Sequence, residues 1–487
     1  MKKLRVLNLM ICILGFSCVL GCSKFIEIDP PITRLNGELV FRDDATAISV
    51  LTGIYANLSV QLPTEINGYP SNIFLTTGLT SDELELWNKS DVILGTYYFN
   101  NISPNVNTWS KLYNMIFIVN SAIEELPKGS GLTPAVKNQL LGEARFIRAF
   151  TYFYLVNLYG AVPLATTTDY QVNRLLFRAD PSLVYSQIIE DLKSAALLLN
   201  QNYVGKDGTS VTTERIRPNK WTALALLART YLYTGNYEGA IEQASGVINY
   251  KSLYDLVDLN TVFVKNNQEA IWQLQPVSGD LHNKNTREGQ LLKLLDVPNS
   301  FTPVYLTSSL VNSFEEKDMR KKNWIGKVTD NSTTPATEYN FAYKYKIGLE
   351  DLPVKEYSTV FRLAELYLIR AEAYIQLNNI DMGVSDLNII RKRATDLTVP
   401  IADQLPNLPN TLSKAAALKA VEDERRHELF TEWGHRWFDL KRTGRIDAVL
   451  GAKSGWQSTD QLFPIPNDEV NGRNPNMKGA QNPGYSN

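Results

Sequence analysis

The sequence predicts a mainly α-helical protein: a scaffold of helix pairs that carries an irregular, loop-rich portion and few short strands. Three observations lead there. From about residue 40 to 250, and again from 356 to about 443, apolar residues recur every three or four positions, the spacing of a half-buried helix. The chain also repeats itself: "ARTYLYTGNYEGAIEQA" from Ala228 aligns with "AEAYIQLNNIDMGVSDL" from Ala371 at an offset of 143. Between about 255 and 355 the text changes style and becomes rich in Pro, Gly, Asn and Thr.

The first element is a leader. Lys2, Lys3 and Arg5 give a basic front, and Leu7 to Gly21 is an almost uncharged apolar stretch. It is shorter than the roughly 20 residues a spanning helix needs, and it lies where a cleaved secretion signal lies. Cysteines stand at 12, 18 and 22 and nowhere after. The order Val19-Leu20-Gly21-Cys22 resembles a bacterial lipobox. That resemblance implies a signal peptide over 1–21, cleavage before Cys22, and acylation of its thiol and new amino group; Cys18 is the rival site and fits the box less well. Residues 22–40 are then a lipidated tether and the body lies in water. A body without a thiol cannot be a cysteine enzyme or a thiolate metal site.

The helices follow in order over 41–254. Thr108 can cap "WSKLYNMIFIVNSAIEEL". Thr133-Pro134 reads as an N-cap followed by proline at the first helical position, opening a run that ends at Gly160. Asp180-Pro181 opens "SLVYSQIIEDLKSAALLLN" in the same way. In the internal repeat, Ala228 and Tyr231 fall on Ala371 and Tyr374, Gly235 and Tyr237 on Asn378 and Ile380, and Ala240 on Gly383. Small residues where two helices cross, with a tight turn between, resemble a tetratricopeptide repeat. The second region, 255–487, begins loop-rich (255–355). There "EAIWQLQP" alternates like a short strand, while "SGDLHNKNTREG" and "GKVTDNSTTPATEYN" read as loops; loops of that length are usually functional or disordered. Helices return over 356–446, and 447–487 reads as an irregular wrap.

Composition narrows the function. The chain has 49 basic and 51 acidic residues and a formal net charge of −2, without the basic footprint of a nucleic-acid binder. The densest basic run, Arg320-Lys321-Lys322, reads as solvated surface. His427 has Thr431, not His, at i+4, so the helical zinc pattern fails; the other two histidines are His282 and His435. Gly326-Lys327 is followed by valine and has no phosphate-loop spacing, and no nucleophile-elbow motif occurs. No cofactor and no metal is expected. Asp82, Glu83 and Glu85 could supply the two carboxylates of a glycosidase, or simply solvated or sugar-holding polar groups.

Three stretches carry a family resemblance: "EARFIRAFTYFYLVNLYGAVPL" at 143–164, "ERRHELFTEWGHRWFDLKRTGRI" at 424–446 and "LFPIPNDEVNGRNPNMKGAQNPGY" at 462–485. In this order and behind a lipobox, they look like the SusD/RagB family of nutrient-binding outer-membrane lipoproteins. From the residues alone the motifs read as structural: Phe430, Trp433, Trp437 and Phe438 form a buried helix seam, and Arg425 and Arg436 pair with Glu428, Glu432 or Asp439 at its edges. The resemblance implies a cell-surface protein that is not an enzyme. It would capture a glycan and hold it over a SusC-like TonB-dependent transporter, as a hinged lid. The alternatives are a peptide-binding uptake lipoprotein of the RagB type and a glycoside hydrolase.

A glycan site needs flat aromatic faces against the C–H faces of sugar rings, rimmed by amides and charged groups. The loop "SDELELWNKSD" offers Trp87 with Asn88 and Asp82, and Tyr69 belongs to the same region. Tyr305 and Trp324 are candidates by their place in the family pattern, in the irregular part; Asn283 and Arg287 are candidates for the rim. Trp272, inside the strand-like run, is assigned to the core, and Trp109, Trp221, Trp433 and Trp437 to helices.

Overall fold

The computed structural model describes residues 40–59, 72–277, 285–348 and 353–486. The leader, Cys22, Tyr69, His282 and Asn283 lie outside the described residues. Helices of eight residues or more are α1 (Asp44–Ser59), α2 (Ile73–Thr80), α3 (Thr108–Glu125), α4 (Pro134–Tyr159), α5 (Pro181–Leu198), α6 (Lys220–Tyr233), α7 (Tyr237–Ile248), α8 (Leu363–Gln376), α9 (Ile380–Arg393), α10 (Lys414–Leu429) and α11 (His435–Arg442). The strands are β1 (Leu84–Leu86), β2 (Val162–Pro163), β3 (Arg178–Ala179), β4 (Ala270–Leu274), β5 (Val304–Leu306), β6 (Ile325–Asp330), β7 (Thr337–Ala342) and β8 (Ser358–Arg362). Among the described residues they pair only two by two, all antiparallel: β1 with β5, β2 with β3, β4 with β8 and β6 with β7.

The helices stack in series, α3 on α4, α4 on α5, α5 on α6, then the pairs α6/α7 and α8/α9. α7 packs directly on α8 although the whole loop-rich portion separates them in sequence. The internal repeat is therefore two neighbouring helix pairs of one stack. Its equivalent turn positions, Gly235 (φ 74°) and Asn378 (φ 64°), both adopt the left-handed conformation, which Gly and Asn tolerate best. Where the helices cross, Ala240 is fully buried. At its counterpart Gly383, a Cβ would stand 2.4 Å from Ile375 Cγ1 and 2.7 Å from the Ala371 carbonyl oxygen, so only glycine fits without displacement.

Local signals work as read at Asp180, whose carboxylate accepts from Ser182 N–H at 2.8 Å, and at Gly160, which ends α4 at φ 73°. Thr133 stands at the N-cap of α4 before Pro134, but its hydroxyl donates to the Asp44 carboxylate (2.6 Å) and so ties α4 to α1. Thr108 is the first residue of α3 and Asn107 holds the cap position.

Four expectations change. The stretch containing Gly326 and Tyr339 is not a loop but the β6–β7 hairpin, in register from Ile325↔Ala342 to Asp330↔Thr337. The turn residues Asn, Ser and Pro mask the period-two alternation on either side. Arg320 of the basic run is not solvated: it is fully buried, with Asp318 at 2.7 Å and Glu428 at 2.9 Å. The Phe430–Phe438 seam is not one helix. Thr431, Trp433 and Gly434 take positive φ and break it between α10 and α11, although its aromatics are buried as expected. Its charges lie at the centre rather than the edges. Arg425 does reach Asp439 (2.7 Å), but Arg436 reaches Asp82 (2.7 Å), and Glu428 takes Arg320, Arg362 and Arg393.

The core is aromatic where the layers meet. Trp272 of β4 stands edge-on to Phe146 (5.1 Å) and Phe150 (5.4 Å) of α4 and stacks on Phe361 of β8 (6.1 Å). Its indole N–H donates to the Ile216 carbonyl at 3.0 Å. The C-terminal stretch lies across the end of α4. Phe463 N–H donates to Leu158 O (2.8 Å), and the Asn482 amide donates to Tyr159 O (3.0 Å) and Phe463 O (2.8 Å).

Candidate functional site

The short pairing of β1 with β5 brings two of the sequence-named aromatics to one place. Glu85 lies opposite Tyr305 in this ladder, and Trp87 N–H continues it by donating to Pro303 O at 2.9 Å. Leu84 and Leu86 face the core, so strand alternation turns Glu85 outward. Just past the strand, Trp87 is 46% exposed, and Asn88 beside it is exposed too. The Asn88 side-chain oxygen accepts from Ser90 N–H (3.1 Å) and its backbone oxygen from Asp91 N–H (3.0 Å), which fixes the turn that carries the indole.

Tyr305 is half-buried, edge-on to Tyr339 of the hairpin at 5.0 Å. Tyr98 donates to the Glu85 carboxylate at 2.7 Å, and the Lys89 ammonium lies 5.1 Å from the Tyr98 ring centre. Phe301, two residues before Pro303, is 80% exposed. The result is an aromatic surface with a polar rim of Glu85, Asn88 and Lys89. Chemically it can stack an apolar face and hydrogen-bond around its edge.

Lys453 supports the surface from behind. Its ammonium donates to the carbonyls of Leu79 and Ser81 and lies 5.4 Å from the Tyr98 ring centre. Burial brings its pKa down to about 7.

Three of the residues expected at the site are not available to a ligand. Asp82 is a structural anchor. Its carboxylate takes Arg436 (2.7 and 2.9 Å) and Arg426 (2.7 Å), while its backbone oxygen accepts from Thr307 (2.6 Å). Burial opposes its charge, but Arg436 and Arg426 outweigh burial and hold the carboxyl below the usual range. Trp324 is 0% exposed; its indole N–H donates to Leu259 O (2.8 Å) and its ring packs near Phe263 and Lys344. Arg287 is buried in a short helix, Arg287–Leu292.

The carboxylates proposed for glycosidase chemistry are dispersed by the fold. Asp82 is neutralised by arginines and Glu85 is at the surface. Glu83 is buried, where desolvation and the Asp82 charge push its pKa to about 7, and it accepts from Thr431 N–H at 3.2 Å. No group of three or more His, Cys, Asp or Glu among the described residues is arranged to hold a metal ion.

Sequence reasoning missed Phe301, Tyr98 and Tyr339. Phe301 had a legible signal, an aromatic alone in the polar loop "PNSFTP". Tyr339 was hidden by reading its hairpin as a loop.

Comparison with known proteins agrees in one direction. The model described as "Starch-binding associating with outer membrane" matches residues 47–232, and the SusD family model matches 329–485. SusD-like protein P25 of Formosa agariphila is 26% identical over 96% of this chain and 94% of its own, and SusD-like protein P2 of the same organism is 25% identical over the whole of both. Among solved structures, a SusD-like protein of Bacteroides fragilis superposes with a TM-score of 0.73 at 19% identity, covering 92% of this chain and 98% of that one. A laminarin-binding SusD-like protein gives 0.72 at 23%, covering 91% and 100%.

Proposed function

The chain belongs to the SusD/RagB family, and from that premise we propose that it captures a glycan at the cell surface and passes it to a SusC-like TonB-dependent transporter. It acts without breaking a bond, anchored in the outer membrane through a lipid on Cys22. The observation that carries the reading is the half-exposed Trp87 indole, held on a fixed turn beside Tyr305 with a polar rim around it. Such a face suits the C–H side of a sugar ring, and Asn88, Glu85 and Lys89 suit its hydroxyls. A solved relative described as laminarin-binding supports the ligand class. Tyr69, as part of the Trp87 region, and Asn283, at the rim, remain proposed site residues.

The test is affinity electrophoresis of the protein in gels cast with plant, host and microbial polysaccharides, with Trp87→Ala in parallel. Retardation by one glycan, lost in the variant, is expected. Retardation by none of them would count against glycan capture and turn attention to peptides.

A further inference from the structure

Away from the Trp87 face, a cleft of about 580 Å³ opens among α6, α8, α10 and α11. That volume lies in the range of small-molecule sites, roughly 300–1,000 Å³. Five basic side chains line it against three acidic ones. Most of these charges are matched. Arg442 takes Glu372 (2.7 Å) and Asp439 (2.8 Å), and Arg436 takes Asp82 on the far side.

Arg425 is matched in charge but not in hydrogen bonds. It is only 3% exposed, and it spends Nε on Asp439 at 2.7 Å. Its Nη1 and Nη2 are buried with no hydrogen-bond partner. A second lining residue has the same defect: the Tyr233 hydroxyl is buried and unpartnered. The Tyr233 ring sits 5.3 Å from the Arg442 guanidinium, and the charges of Asp439, Arg442 and Arg425 all act on its phenol. Buried donors are almost always satisfied, because leaving them unpaired forfeits their hydration. Here two residues that line one cleft, from α6 and α10, hold three buried donor atoms without partners.

We propose that this cleft binds an oxyanion, a carboxylate or sulfate group, whose oxygens accept from Arg425 Nη1 and Nη2 and from the Tyr233 hydroxyl. The planar guanidinium fork suits two oxygens of such a group. The anion could be free or could be the acidic substituent of a sugar. The inference rests on these donors alone and stands apart from the Trp87 face.

Calorimetric titration of the full chain with sodium sulfate, sodium glucuronate and glucose, at ionic strength matched with sodium chloride, tests it. Saturable binding of sulfate or glucuronate, with glucose silent, is expected. Glucuronate at least about ten-fold tighter than sulfate would identify an acidic sugar, and similar affinities a free oxyanion. Tyr233→Phe removes a hydroxyl that has no partner to lose, so the fold should keep its Tm while anion affinity falls about ten-fold. Arg425→Lys keeps the charge, loses the fork, and should weaken binding at least as much. No saturable heat from either anion, or unchanged affinity in Tyr233→Phe, would overturn the proposal.

Discussion

Trp87 and Trp324 stand in similar polar text, "LELWNKS" and "RKKNWIGK", yet one has a free face and the other is sealed. What separates them is contact with distant residues: Leu259, Phe263 and Lys344 close over Trp324. Trp324→Ala should therefore cost about 3–5 kcal/mol in urea unfolding, and a loss below about 1 kcal/mol would contradict its place in the core. Glu83 gives a pH-dependent counterpart. Its folded pKa, about 7, lies above the ordinary 4.5, so the folded state holds its proton more tightly than the unfolded chain. Its penalty is absent below pH 4.5, grows as pH rises, and is complete above pH 7. Glu83→Gln should gain on wild type across that window by roughly 3 kcal/mol; parallel stability profiles from pH 4.5 to 8 would refute the assignment. The three mis-assigned site residues, Asp82, Trp324 and Arg287, fail for one reason: loop-like text does not reveal burial, which partners far along the chain decide.

At the scale of elements, legibility follows sequence distance. The helix pairs were readable because a 3.6-residue period, a left-handed turn and a small crossing residue all lie within one short window. The repeat at offset 143 even located the equivalent turns, Gly235 and Asn378. The stacking of α7 on α8 was not readable, since the whole loop-rich portion separates them, nor was the β4–β8 pair, which joins a strand inside that portion to one beyond its end. The β6–β7 hairpin was local and still missed, because its turn composition outweighed the alternation beside it. The crossing at Gly383 gives a sharp test. Gly383→Val puts atoms where Ile375 and the Ala371 carbonyl already stand, and overpacking of this kind costs roughly 1–3 kcal/mol. Ala240→Gly, at the equivalent crossing, should cost about 1 kcal/mol, chiefly through helix propensity. Thermal unfolding that left Gly383→Val as stable as wild type would show that α8 and α9 do not meet there.

At the scale of the molecule, a buried charge network holds the loop-rich portion to the helical stack. Glu428 of α10 takes Arg320 from the middle section, Arg362 from β8 and Arg393 from α9, and Glu269 and Glu432 pair with Arg362 as well. Removing one partner of such a set leaves buried charge uncompensated, at about 3–5 kcal/mol. Glu428→Gln should lose that much in denaturant unfolding, and a loss under about 1 kcal/mol would mean the network does not bind the parts together. The site lies on what this network fixes: β5 belongs to the middle section and β1 to the N-terminal region, and only their docking sets Tyr305 beside the Trp87 turn. The central claim is that this composite face binds a sugar. It is tested most directly by calorimetric titration of the glycan retained in the gels into wild type, Trp87→Ala and Tyr170→Ala, Tyr170 being 71% exposed outside the β1–β5 pairing. Affinity should fall at least about ten-fold in Trp87→Ala, a loss of 1.4 kcal/mol or more, and stay unchanged in Tyr170→Ala; unchanged affinity in Trp87→Ala would contradict the account.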